Sequence, residues 1–182
     1  MGIEIFETPL KGLVLLKPAV FTDPRGYFTE TYNEAAFAQL GIGGSFVQDN
    51  QSLSSKGALR GLHFQKPPHA QAKLVRVISG SVLDVVVDIR NQSDTYGKHY
   101  TVKIDSDNFL QLYIPEGFAH GFLTLEDNTI FAYKCADYYD KASEDGLMWN
   151  DPALSIPWGN DDPFLSDKDK NFVAFDKFES PF

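Results

Sequence analysis

A chain of 182 residues with 43% hydrophobic and 23% charged side chains and a formal net charge of -9 is of ordinary globular make-up. It is long enough to bury one good core, and one domain spanning 1–182 is expected. The acidic balance argues against a nucleic-acid partner, which needs a basic footprint to release counterions, so any anion must be caught locally.

The opening stretch, MGIEIFETPLKGLVLLKPAV, places acids before its first base and holds no apolar run longer than four residues. Neither a signal peptide nor a membrane span fits that pattern. Phe6 also stands where a myristoylation motif beginning at Gly2 requires Ser or Thr. A soluble cytoplasmic protein without a membrane partner is expected. Next, NEAAFAQLG reads as a helix, with Asn33 as N-cap and Gly41 as stop.

Strand patterns then dominate from about 46 to 135. AKLVRVISGSVLDVVVDIR carries two β-branched runs split by Ser79-Gly80, and HYTVKI alternates before the turn cluster DSDN. FLQLYIP, HGFLTL and TIFAYKC follow, punctuated by Pro-Glu-Gly and Glu-Asp-Asn. Short strands at this spacing predict an all-β sandwich or barrel. Cys135 is the single cysteine and excludes an internal disulfide. Beyond Asp151 the chain turns rich in Pro, Asp and Trp, and LSDKDKNFVAF predicts a terminal helix. The N-x-S patterns at Asn50 and Asn91 are read as chance, and no repeat or linker is evident.

Two motifs raise the question of a metal. His63 lies in RGLHFQKPPHAQAK (60–73), and Pro115, Gly117 and His120 form P-x-G-x-x-H some fifty residues later. A small β-barrel with this pair resembles the cupin superfamily, a jelly-roll fold with a few short peripheral helices. Metal-binding cupins present His-x-His and then Glu in the first motif. Here His63 is followed by Phe64 and Gln65, and Lys73 stands near the place of the acidic ligand. An ammonium repels a divalent cation, and two histidines alone leave it short of ligands. Metal-free chemistry is expected.

A narrower resemblance covers most of the chain. DPRGYF (23–28), ALRGLHFQKPPHAQAKLVRVISGSVLDVVVDIR (58–90), QLYIPEGFAHGFLTL (111–125), FAYKCADYY (131–139), WNDPALSIPW (149–158) and LSDKD (165–169) occur in that order. Together they resemble the dTDP-4-dehydrorhamnose 3,5-epimerases, cofactor-free enzymes acting on sugar nucleotides. The resemblance implies inversion at C3 and C5 of dTDP-4-dehydro-6-deoxy-D-glucose to give dTDP-4-dehydro-L-rhamnose, with no cofactor. It also implies a homodimer.

The chemistry explains why such residues are needed. Both C–H bonds are alpha to the C4 ketone, so inversion requires a base on one face, stabilisation of an enolate at O4, and an acid on the other face. The resemblance makes His63 the base, since an imidazole with a pKa of about 6.5 is poised near neutrality. Asp169 becomes its carboxylate partner, fixing the tautomer and stabilising the imidazolium. Ser166-x-x-Asp169 is equally a capping box, and the two roles compete. Tyr133 corresponds to the acid, protonated at neutral pH with a pKa of about 10; in isolation a tyrosine in an apolar strand reads as core. Lys73 and His120 become the polar partners of the carbonyl oxygen, an oxyanion-hole role. Without the motifs they read as a solvated strand-edge lysine and a satisfied core histidine.

For the nucleotide, the resemblance assigns Arg60 and Arg25 to the pyrophosphate, which a planar guanidinium fork suits. Glu30, Gln48, Asn50 and Glu144 fall where the family makes further contacts, and Tyr139 stacks on thymine, with neighbouring Tyr138 as the alternative. Lys168 or Lys170 is a further phosphate candidate, and His69 reads as a loop residue. Alternatives in function are a single-centre 3- or 5-epimerase of a related deoxysugar, a non-catalytic sugar-nucleotide-binding cupin, and a ketoisomerase on the same barrel.

Overall fold

The computed structural model describes residues 2–182. Strands β1 (Ile3–Phe6), β2 (Val14–Pro18), β3 (Val20–Asp23) and β4 (Gly26–Thr29) precede a short helix α1 (Glu34–Gln39). Then come β5 (Gln48–Ser54), β6 (Leu59–Gln65), β7 (Lys73–Ser79), β8 (Ser81–Asp88) and β9 (His99–Asp105). β10 (Gln111–Ile114), β11 (Phe118–Thr124), β12 (Thr129–Cys135) and β13 (Glu144–Gly146) complete the strands. One sheet runs β1-β2-β10-β7-β12-β5, a second runs β13-β6-β11-β8-β9, and β3 with β4 forms a separate two-stranded arm. Two antiparallel sheets whose sequence neighbours are exchanged between them make a jelly roll, as the motifs predicted.

The sheets face one another over an apolar core. Leu15, Val75, Leu112 and Phe131 come from the first sheet, Val82, Val86, Ile104 and Phe122 from the second. The outer face of the second sheet is covered by the C-terminal third, with Leu62, Val85 and Leu123 packed under Leu154 and Trp158. The helix covers the outer face of the first sheet, where Phe37 and Ile42 meet Leu16 and Leu74. Asn33 caps it by accepting from the Ala36 amide at 3.1 Å, as read from sequence, and Gly41 follows with φ of 75°.

The structure departs from the sequence expectation at both ends. Strands β1 to β4 lie before the predicted strand region. β2 is buried along both faces, so it lacks the alternation that marks a half-exposed strand. DPRG forms the two-residue turn of the β3–β4 hairpin, in which Asp23 accepts from the Arg25 amide at 2.8 Å and Gly26 takes φ of 130°. The predicted terminal helix is not formed. In its place stand two short 3₁₀ turns, Asp169–Asn171 and Phe175–Lys177, joined by extended backbone at Phe172. The Val173 carbonyl accepts from the Met148 amide at 2.9 Å, so pairing with the chain after β13 prevails over local helix propensity.

Candidate active site

Strand pairing brings the two motif histidines together. His120 on β11 lies directly opposite His63 on β6, and the register slips between His120 and Phe122. Glycines permit this close crossing: a Cβ at Gly61, which has φ of 136°, would sit 2.5 Å from the Gly121 Cα. On the facing sheet, Tyr133 of β12 pairs with Asn50 of β5 and Val75 of β7, and Cys135 pairs with Gln48 and Lys73. Side chains two apart share a face, so Lys73, Tyr133 and Phe131 point to the same side as these partners.

A cavity of about 700 Å³ between the sheets is lined by His63, Lys73, His120, Tyr133, Asp169, Arg60 and Glu144. Seven of the predicted site residues therefore converge from β6, β7, β11, β12, β13 and the C-terminal segment. His63 Nε2 and Asp169 Oδ1 are 2.5 Å apart, with the aspartate side chain almost wholly buried. The Asp169 amide also donates to Ser166 Oγ at 3.2 Å. The competition seen in the sequence is resolved by dividing the residue: its backbone completes the serine turn while its carboxylate turns to the histidine.

Burial depresses the His63 pKa, outweighing Asp169, which raises it; Lys73 and Lys168 lower it further. The uncharged imidazole is thereby favoured. For Asp169, burial acts upward but hydrogen bonds from His63 and Ser166 win, holding the carboxyl below its usual range. Burial pushes the Tyr133 phenol up, with Cys135 and Glu144 adding and Arg60 opposing, so it keeps its proton. Burial lowers the Lys73 ammonium, against the pull of Cys135, Glu144 and Asp84. His120 Nε2 stands 2.9 and 3.1 Å from the two oxygens of Asp84, a carboxylate with no exposure.

At the rim, Glu144 accepts from Lys168 Nζ at 2.6 Å and from the Tyr139 hydroxyl at 3.0 Å. The Tyr139 amide donates to Gln48 Oε1 at 2.9 Å, and Gln48 Nε2 donates to Asn50 Oδ1 at 3.1 Å. These contacts connect Tyr139, rather than Tyr138, to the cavity wall; Tyr138 gives its carbonyl to Gln65. Arg60 uses its Nε on Ser54 Oγ at 3.2 Å while lining the cavity. Lys168 lines it as well, whereas Lys170 pairs with Asp167. His69 sits outside, 3.1 Å from Asp137.

Five predicted residues do not line this cavity: Gln48, Asn50 and Tyr139 join its rim through the contacts above, and two more lie away from it. Arg25 is at the tip of the β3–β4 arm, its side chain 89% exposed and paired with Asp23, and Glu30 follows the same arm. Sequence reading missed Asp84. Asp84 had a signal: it is a lone acid inside the apolar run VLDVVVD. The donor set is poorly suited to a metal, since both histidines face aspartates and an amine shares the space. Among the described residues no group of three or more potential metal ligands is gathered.

A jelly-roll barrel holding a carboxylate-backed histidine on one wall and a protonated tyrosine on the other defines a cupin-type protein equipped for acid–base chemistry on a small polar ligand. The family described as dTDP-4-dehydrorhamnose 3,5-epimerase matches residues 7–177, and the chain belongs to that family. It is 48% identical to the dTDP-4-dehydrorhamnose 3,5-epimerase of Methanothermobacter thermautotrophicus over 172 residues, 93% of this chain and 92% of that one. Its structure is similar to that of the Legionella pneumophila 3,5-epimerase in complex with dTDP-4-keto-L-rhamnose, with 41% identity, a TM-score of 0.94 and coverage of 98% and 95% of the two chains. It also resembles a 3'-monoepimerase of Streptomyces bikiniensis in complex with dTDP-quinovose, at 34% identity, a TM-score of 0.87 and coverage of 92% and 85%.

Proposed function

We propose that the protein inverts C3 and C5 of dTDP-4-dehydro-6-deoxy-D-glucose, giving dTDP-4-dehydro-L-rhamnose by proton transfer through an enolate. The observation that carries this reading is the His63–Asp169 contact of 2.5 Å on one wall of a cavity whose facing sheet supplies Tyr133. Neutral His63 takes the proton alpha to the C4 ketone, and Asp169 stabilises the imidazolium that results. Lys73 and His120 donate to O4 as it gains negative charge. Tyr133 returns a proton from the opposite face. No redox step is needed: each centre is inverted through its own enolate, and between the two inversions His63 gives up its proton and Tyr133 regains one by exchange with solvent.

Arg60, Glu144, Gln48, Asn50 and Tyr139 would hold the nucleotide. Arg25 and Glu30 would reach a cavity from a second copy, since their arm stands out from its own barrel. Its Phe21, Tyr27 and Phe28 are 52%, 59% and 60% exposed, apolar surface suited to a homodimer contact. We place the enzyme in the cytoplasm, a location in keeping with its free, buried Cys135. No helix among the described residues is long and apolar enough to cross a membrane.

Incubation with the 4-keto nucleotide in deuterated water tests the assignment, with sugar protons followed by NMR. Exchange and inversion at both C3 and C5 are expected. Inversion at one centre would move the protein to the mono-epimerase reading favoured by the Streptomyces likeness, and binding without exchange would leave only a sugar-nucleotide-binding barrel.

A further inference from the structure

We propose that Phe172 is a positioning residue for the His63 base, an inference that rests on the epimerase reading above. Gly146 is the β13 register partner of His63. Cross-strand partners project to the same face, so any side chain at 146 would lie beside the imidazole. Glycine leaves that space empty, and Phe172 fills it. A Cβ built at Gly146 would come within 2.6 and 2.7 Å of Phe172 ring carbons and 2.5 Å of the Leu62 carbonyl oxygen. The phenyl edge meets the imidazole with centroids 5.5 Å apart and planes at 70°.

The histidine ring thus has Phe172 against it and Asp169 on Nε2, while His120 is its register partner on the other neighbouring strand. Phe172 is itself held in place. The next residue, Val173, bridges in parallel to Leu147 and accepts the Met148 amide. The same segment carries Asp169 three residues earlier, so one anchored turn delivers both the hydrogen-bond partner and the apolar wall. Phe172 does not line the cavity, which separates its action from substrate binding. The charged groups bearing on His63 are Asp169, Lys73, Lys168 and Glu144; burial lowers its pKa and outweighs Asp169, while the two lysines act in the same direction as burial. Removing the phenyl ring lets water reach the imidazole and releases its orientation.

The test uses the full chain with Phe172→Ala and Phe172→Leu, reading kcat, KM and the His63 titration by NMR. For Phe172→Ala, kcat is expected to fall by about tenfold to a hundredfold with KM little changed, as a displaced base demands. The His63 midpoint should rise toward its ordinary value of about 6.5. Phe172→Leu, which keeps most of the apolar bulk, should recover much of both. Parent-like kcat and titration in both variants would overturn the proposal, as would a parallel loss of kcat and substrate binding with the titration unmoved. Should the alanine variant fail to fold, Phe172→Val takes its place, with a smaller fall in kcat and a smaller rise of the His63 midpoint expected; a rate and titration indistinguishable from the parent would overturn the proposal. If the parent shows no exchange at C3 or C5, the epimerase reading falls, while the titration shift still reports whether Phe172 governs the ring.

Discussion

The two histidine–aspartate pairs are cross-strand neighbours, yet they are assembled in different ways. His120 takes its carboxylate from Asp84 on the adjacent strand of the same sheet, and the two side chains are only 8% and 0% exposed. His63 takes its carboxylate from 106 residues away, on a segment outside either sheet, and its ring remains 25% exposed. The inner pair is locked by the sheet ladder before anything binds. The outer one depends on a strap that must dock, and of the two it is the one with partial access. A proton that must leave and return belongs at the accessible pair; a fixed donor to a developing oxyanion belongs at the buried one.

The largest expected effect lies on the outer pair. His63→Ala should cut solvent exchange at C3 and C5 by roughly 10²-fold to 10⁴-fold, measured by deuterium wash-in at constant protein. Full residual exchange would erase the distinction between the pairs. Asp169→Asn should follow with a loss of about 10²-fold or more. Because Asp169 raises the His63 pKa, its removal should shift the acidic limb of the kcat/KM profile to lower pH; a shift upward would show that the carboxylate does not act on this ring.

The inner pair should respond through stability first. Asp84→Ala leaves the buried His120 nitrogen without its partner, and an unfolding loss of about 1–3 kcal/mol is expected in urea. An unchanged urea midpoint would mean that the sheet does not need the pair. A second β8 carboxylate sharpens this contrast. Asp88 has a fully buried side chain, is bonded by Arg90, Ser93 and Thr95, and has its pKa lowered from 3.8 to about 2. Burial opposes the shift and the hydrogen bonds overcome it. A carboxyl depressed on folding adds stability that is complete above its unfolded value and is lost as pH falls toward its folded value. About 2 kcal/mol should therefore disappear between roughly pH 4.5 and 1.5, and Asp88→Asn should flatten that part of the stability curve.

Legibility followed the range over which each feature is set. The strands from β7 to β12 were readable because apolar runs and Gly or Asn breaks are local. β2 escaped because burial on both faces removes its alternation, and the 169–175 segment because its pairing partners lie more than twenty residues away. His63, Lys73, His120 and Tyr133 stood in motifs, whereas Asp84 was legible only as an acid misplaced in an apolar run. Phe172 carried no signal, since its meaning depends on a glycine on another element.

By itself the sequence determined an all-β fold and, through its motifs, the family and its jelly-roll barrel, because period-two patterns and short motifs are written in consecutive residues. Only the tertiary structure decided that the Asp169 carboxylate turns to His63 while its amide serves the turn, that Asp84 backs His120, and that Arg25 stands outside the cavity of its own barrel. Those outcomes are contests for one hydrogen-bonding group or one packing space, and they are settled by strand register and chain docking rather than by neighbours in sequence.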